Sequence, residues 1–299
     1  MTFYIIYNPM AGNGEGEEVA KGLEGKLDGE IQGYADMTKI TNYSAFLSDK
    51  TDCALVVCGG DGTLNRFVND TADCELENEV YYCAVGTGND FLRDIGGELG
   101  EVINITEYIK DLPTCEVKGK KYKFINGVGY GIDGYCCEVG DKMRAEGKEN
   151  INYTSIAIKG LLLGYKTTAA KVTVDGVEHN YKKVWIVPTM NGRFYGGGMM
   201  PTPDQKRISP EKKLSVLVFH DTGKLKTLMI FPSLFKGEHL KHTKYTEVLC
   251  GNEITVEFDS PTPLQIDGET ILGVSTYTAY CNCKKEVNTK KKVVNEISG

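Results

Sequence analysis

Three short runs in the first third of the chain combine glycine with side chains that can hold an anion or a cation. They are Asn8-Pro9-Met10-Ala11-Gly12-Asn13-Gly14, Gly59-Gly60-Asp61-Gly62-Thr63-Leu64-Asn65 and Gly86-Thr87-Gly88-Asn89-Asp90. Glycine keeps side chains away so that backbone N–H groups can approach a phosphate, and a helix starting just beyond adds a favourable potential. Asp61 and Asp90 bring carboxylates into the same runs, which suits magnesium held by a carboxylate plus waters. One such run has a plain reading as a tight turn, and Asn89 and Asp90 have one as helix caps. Three in succession point to a phosphate site assembled from several loops.

The elements that must position these runs are legible around them. Each run follows an apolar stretch, residues 3–7, 54–58 and 80–85, without the alternation of a half-exposed strand. Helical spacing follows the first run, with Val19, Leu23 and Leu27 on one stripe and Glu15, Glu17 and Glu18 near its start, where the helix dipole favours acids. Strand, glycine loop and helix recur as a βαβ rhythm, which predicts a parallel sheet with all three loops on its carboxyl edge. From about Lys121 the pattern changes. Lys171-Val172-Thr173-Val174, residues 214–219 and Ile254-Thr255-Val256-Glu257-Phe258 read as β-strands, with Asp175-Gly176 as a hairpin turn and residues 154–164 as a short apolar helix. The expected fold is an α/β nucleotide-binding domain over residues 1–120 and a mainly antiparallel β-sandwich over 121–283. The lysine-rich tail, 284–299, reads as solvated or packed back on the first domain, with attraction to anionic lipid as a further reading.

Composition removes several function classes. A net charge of −7 over 299 residues argues against nucleic acid as the main partner. The ten cysteines lack zinc spacing, and Cys53 and Cys58 bracket an apolar strand, so reduced thiols in a cytoplasm are expected. The first residues lack the basic start of a signal peptide, and no apolar stretch reaches the roughly 18 residues of a membrane span. No G-x-x-x-x-G-K-[ST] occurs. Gly129-x-Gly131-x-x-Gly134 falls too late and opens no βαβ unit, so a dinucleotide fingerprint is rejected. His179, His239 and His242 lie in hairpin or turn contexts and are read as surface residues.

Gly59-Gly60-Asp61-Gly62-Thr63-Leu64-Asn65 together with Gly86-Thr87-Gly88-Asn89-Asp90-Phe91 resembles the diacylglycerol kinase catalytic domain, whose superfamily includes bacterial lipid kinases, sphingosine kinases and ceramide kinases. Asn8-Pro9-x-x-Gly12 looks like the family's opening loop. Phe124-Ile125-Asn126 with Gly129, Gly131 and Asp133 looks like its crossover into a second domain. Gly196-Gly197-Gly198-Met199 with Pro201 resembles its glycine triplet, and Asp267-Gly268-Glu269 its late acidic motif. NAD kinases share the Gly-Gly-Asp-Gly-Thr loop but not, as a rule, the Gly-Thr-Gly-Asn-Asp-Phe segment.

The resemblance implies an ATP-dependent lipid kinase, soluble and peripheral to the membrane that supplies its lipid, with magnesium and with a homodimer left open. It implies nucleotide contacts from Asn8, Gly12, Gly59, Gly60, Asp61, Gly62, Thr63, Leu64, Asn65, Gly88 and Asn89, with hydroxyl contacts from Thr38, Thr63 and Thr87. It makes Asp61 and Asp90 partners of the nucleotide magnesium and Glu269 the general base, with Asp61 as the rival. Two departures stand out: Ser209-Pro210-Glu211-Lys212-Lys213 replaces an Asp-Asp-Gly-like stretch that helps hold a structural magnesium, and Asn13 stands where a basic residue is usual. Glu211 is the remaining acid there. The first departure keeps a second reading open, a catalytically weak nucleotide- or lipid-binding protein on the same scaffold.

Overall fold

The computed structural model describes residues 1–86, 88–148, 151 and 153–281. The apolar stretches of the first third form a five-stranded sheet. Strands β1 (Thr2–Tyr7), β2 (Glu30–Asp36), β3 (Ala54–Gly59), β4 (Val80–Ala84) and β5 (Val102–Asn104) lie in the order β2-β1-β3-β4-β5. The first four run parallel, and β5 closes the edge antiparallel. Helix α1 (Gly16–Lys21) covers one face with Ala20, and Leu23 just beyond it packs there too. Helices α2 (Tyr43–Leu47), α3 (Asp61–Asp70) and α4 (Asp90–Ile95) cover the other, with Leu64, Phe67, Phe91 and Leu92. A short helix α5 (Thr106–Ile109) follows β5. Burial on both faces explains why all six residues of β3 are buried and why its sequence shows no alternation.

The second part is antiparallel throughout. Strands β6 (Thr114–Val117), β7 (Lys120–Lys123) and β8 (Gly127–Gly131) lead into helices α6 (Ile132–Ala145) and α7 (Tyr153–Lys159). The hairpin β9 (Thr168–Val174)–β10 (Val177–Val184) turns at Asp175-Gly176 as expected, and β11 (Ile186–Met190) and β12 (Leu214–Phe219) follow. Helix α8 (Lys224–Ile230) and strands β13 (Thr246–Gly251), β14 (Glu253–Ile266) and β15 (Glu269–Tyr280) complete it. The order is β13-β12-β11-β8-β14-β15-β6-β7, with the β9–β10 hairpin added to β14.

Strand β14 makes this sheet fold over itself. Its first half pairs with β9 and its second with β8, and its register against β15 shifts between Glu257 and Leu264. Pro261 and Pro263 lie in that stretch and lack the N–H needed for a continuous ladder. The core enclosed by the fold contains Tyr130, Val172, Val216, Val256, Leu264 and Tyr277, with the Tyr130 ring stacked on Phe258 at 3.8 Å. Strands β6 and β7 already belong to this second sheet, through β15. The cysteines among the described residues are free thiols, and no helix there is long and apolar enough to cross a membrane. The tail beyond residue 281 lies outside the described residues.

Candidate active site at the domain junction

Because β1, β3 and β4 run parallel, the three glycine runs leave one edge of the sheet, and they touch. The Asn8 side-chain amide donates to Thr63 Oγ1 at 3.0 Å, tying the first run to the second. Gly12 has φ of 60°, and a Cβ there would come within 2.7 Å of Val85, so the first run lies directly on the third. A Cβ on Gly59 would approach the Thr63 side chain to 2.3 Å, which fixes glycine where β3 turns into α3. Leu64 and Asn65 are buried on α3, and Leu64 belongs to the sheet's core.

Three other glycines have no such reason. A Cβ on Gly62 or Gly88 would meet nothing within 4 Å, and one on Gly60 would make only ordinary contacts from 3.7 Å outwards. None of the three has a positive φ. Gly62 lies inside α3, where alanine would favour the helix by roughly 0.5–1 kcal/mol. Neither packing nor backbone conformation asks for glycine at these positions. The cradle they leave is open, on the edge where helices α3 and α4 begin.

Asp61 does not sit in a flexible loop. It is the first residue of α3, and its carboxylate reaches across to the start of α4: Oδ2 accepts the Asp90 N–H at 2.8 Å and Oδ1 the Phe91 N–H at 3.3 Å. The Asn126 side-chain amide donates to the same Oδ2 at 3.0 Å. Neither Asn89 nor Asp90 caps its own helix; Asn89 donates to Gly86 O at 2.7 Å, and Asp90 Oδ2 accepts the Gly197 N–H at 2.8 Å. Removal from water, reinforced by the Asp90 carboxylate, pushes Asp61 up to about 7 against the pull of its backbone donors. Burial likewise raises Asp90, opposed by the N–H groups of Gly197 and Gly198.

The late acidic motif divides into two roles. Asp267 closes the junction, with Oδ1 accepting the N–H groups of Asn126 and Gly127 at 2.8 and 2.9 Å. Its Oδ2 accepts the Ile125 N–H at 2.5 Å and the Asn65 side-chain amide at 2.7 Å. Asn65 stands one helical turn after Asp61 on α3, so this bond brings the β14–β15 turn against the helix that carries Asp61. Glu269 opens β15 just past that turn, exposed.

Residues the sequence left unassigned complete the junction. Asp94, nearly buried on α4, pairs with Arg193 Nε at 2.7 Å and with Arg207 Nε. Arg207, itself buried, also donates to Ile125 O and, at 2.5 Å, to Asn126 Oδ1, while its guanidinium lies over the Phe91 ring. A relay thus runs from Arg207 through the Asn126 amide to Asp61. Its two links span 81 and 65 residues of chain, so no local pattern could have announced it.

The remaining expected positions are placed as follows. Thr38 is exposed at the carboxyl end of β2 on the same sheet edge, its hydroxyl donating to Asp36 at 2.6 Å. Thr87 lies outside the described residues. Glu211 is exposed and paired with Lys213 at 2.7 Å, and Lys212 with Asp111 at 2.5 Å. A charge-neutralised surface pair does not fit a structural cation, and among the described residues no group of three or more His, Cys, Asp and Glu could hold a metal by itself. The two carboxylates of Asp61 and Asp90, raised by their enclosure, do fit an ion that arrives with further ligands of its own. One histidine expectation is corrected. His239 is fully buried, its Nε2 meeting Pro201 O at 2.9 Å, because the turns after α8 fold under the segment that follows the glycine triplet.

Comparison with known proteins agrees with this layout. Residues 2–117 match the diacylglycerol kinase catalytic domain, and residues 126–283 match the YegS C-terminal NAD kinase beta sandwich-like domain. YtlR of Bacillus subtilis, assigned by name as a lipid kinase, is 23% identical over 303 residues, covering 92% of this chain and 95% of its own. A diacylglycerol kinase of Mycobacterium tuberculosis is 23% identical over 270 residues, covering 86% and 84%. A crystal structure described as a diacylglycerol kinase from Bacillus anthracis superposes with a TM-score of 0.62 at 20% identity, covering 93% of each chain, and shares the fold. With both of its parts matched in order, the chain belongs to the diacylglycerol kinase family.

Proposed function

We propose that this protein is an ATP-dependent lipid kinase that transfers the γ-phosphoryl group to a hydroxyl of diacylglycerol or a related lipid, in the cleft where its two parts meet. The observation that carries the reading is the set of glycines, Gly60, Gly62 and Gly88, that the chain itself does not need, opening a cradle beside two helix starts and the carboxylates of Asp61 and Asp90. Phosphoryl transfer asks a protein mainly for positioning and charge stabilisation. Backbone N–H groups of the runs 8–14 and 59–65 would hold the triphosphate, with Thr63 and Thr87 as hydroxyl contacts and Thr38 at the rim. Asp61 and Asp90 would hold its magnesium, which offsets phosphate charge when bound.

The acceptor hydroxyl must lose its proton. Glu269 is the proposed base, entering from the second part on a turn pinned to α3 by Asp267; Asp61, held near neutrality, is the rival. Residues 1–120 would then serve the nucleotide and residues 121–283 the acceptor lipid, in phospholipid metabolism at the cytoplasmic membrane face.

Labelled ATP, magnesium and a panel of diacylglycerol, sphingosine, ceramide and NAD, with Asp61→Ala as control, tests the reading. Labelled lipid from the wild type alone is the expected result. Labelled NAD would make it an NAD kinase. Nucleotide binding with no labelled product would favour a binding protein on this scaffold, a reading to which the neutralised Glu211–Lys213 segment lends support.

A further inference from the structure

Helix α8 holds Thr227 and Ile230 in the protein and turns Leu225 and Met229 outwards, at 76% and 70% exposure. Four residues apart, the two stand on one helix face. Ile158 on α7 is also exposed, and the turn Gly160–Gly164 that continues α7 packs against α8. The surroundings of this apolar pair are basic. Residues 220–246 contain five lysines, Lys224, Lys226, Lys236, Lys241 and Lys244, against two acids, Asp221 and Glu238, an excess of three positive charges on a chain whose net charge is −7. All five lysines are exposed, Lys226 and Lys244 each standing over the Tyr245 ring and Lys241 beside Glu238.

We propose that this face seats the protein on an anionic lipid surface, Leu225 and Met229 entering the boundary between headgroups and acyl chains while the lysines meet the lipid charge. Exposed large apolar side chains grouped on one short helix mark an interaction site, and a basic surround selects an anionic partner. Association of two copies through the face would bring like-charged lysines together, which disfavours self-pairing. The face is tied to the site through the backbone. Met200 N–H donates to Leu234 O at 2.8 Å and Pro201 O meets His239, so the turns after α8 are fastened three residues beyond Gly197, whose N–H holds Asp90. The inference rests on the lipid-kinase reading for its purpose, but its observable needs no nucleotide.

Sedimentation with phosphatidylglycerol and phosphatidylcholine vesicles, without ATP, tests it. The wild type should favour phosphatidylglycerol and lose binding as salt is raised. Leu225→Glu/Met229→Glu should bind about a hundredfold more weakly, about tenfold per lost anchor. Lys224→Glu/Lys226→Glu should lose about tenfold or more on phosphatidylglycerol alone. Both variants should melt like the wild type and phosphorylate a water-soluble short-chain diacylglycerol equally well. Unchanged vesicle binding in both overturns the docking face, whatever the activity. A dimer that Leu225→Glu/Met229→Glu dissolves, with no vesicle binding by the wild type, also overturns it. Vesicle binding that follows the variants in a protein that labels no soluble lipid leaves the face standing and removes the kinase reading.

Discussion

Asp61 caps a helix that is not its own: its carboxylate accepts the N–H of Asp90 at 2.8 Å, and the Asp90 carboxylate in turn accepts an N–H from the glycine triplet in the loop between β11 and β12. Each acid proposed to serve the nucleotide is therefore oriented by backbone from another loop. Neither relies on its own side-chain rotamer preferences alone. The arrangement keeps two enclosed carboxylates together at the price of raising both of their pKa values.

Replacing Asp61 by alanine removes charge, the cap and the Asn126 contact together, and turnover should fall about 10³-fold or more. Asp61→Asn keeps an acceptor for α4, so its melting temperature should stay close to wild type while turnover still collapses. Turnover in Asp61→Asn within tenfold of wild type would remove Asp61 from the chemistry.

Glu269→Gln separates the two candidate bases. With Glu269 as base, kcat should drop about 10²–10⁴-fold while nucleotide affinity changes little. A variant that only weakens ATP binding, with kcat intact, would assign the proton to another group, with Asp61 as the rival.

Glycines of the second run should respond in opposite senses. Gly62→Ala should leave the protein as stable as before or raise stability by about 0.5–1 kcal/mol, because it lies in α3 with open space around it, while raising the KM for ATP about tenfold. Gly59→Ala meets Thr63 at once and should destabilise by about 1–3 kcal/mol. Urea unfolding beside ATP kinetics reads both. An unchanged KM in Gly62→Ala would mean the cradle is not where phosphate sits.

Asp94 supports two guanidinium groups with almost no access to water. Asp94→Ala leaves Arg193 and the buried Arg207 uncompensated and should cost about 3–5 kcal/mol. Arg207→Gln should cost less stability than Asp94→Ala. It should nevertheless shift the pH profile of kcat/KM, since the Asn126 amide that meets Asp61 loses its anchor. A profile identical to wild type would make Arg207 a structural residue alone.

Asp133, buried beneath β14, accepts from the Gln265 amide at 2.9 Å, and burial pushes it up to about 6 from 3.8. The folded state thus holds its proton more tightly than the unfolded chain, so the stabilisation is complete below about pH 4 and is lost as pH rises through 6. Asp133→Asn keeps an acceptor for Gln265 without charge and should be more stable than wild type at pH 7.5, by about 1–3 kcal/mol. The difference should shrink as pH falls below 5. A difference independent of pH between 4 and 8 would contradict the assignment.

Local chemistry is what the sequence determined by itself. Apolar runs without alternation specify strands covered on both faces, Asp175-Gly176 specifies a turn, and glycine with Asp, Asn and Thr after β1, β3 and β4 is the pattern on which an anion site is proposed, since a parallel sheet delivers successive loops to one edge. Long-range partners were decided only by the tertiary structure. Asp267 stands in the sequence only as the first residue of a late acidic motif, and its carboxylate is then seen closing on four donors from α3 and residues 125–127. His239 reads as a surface residue until the turns after α8 cover it, and Arg207, unassigned in the sequence, acquires a role only where it is found beside Asp94. Sequence spacing carries information over one helical turn or one strand pair. The contacts that align Asp61 and Asp90 span 29 to 107 residues, and they form only where the loops of the sheet edge meet the second part.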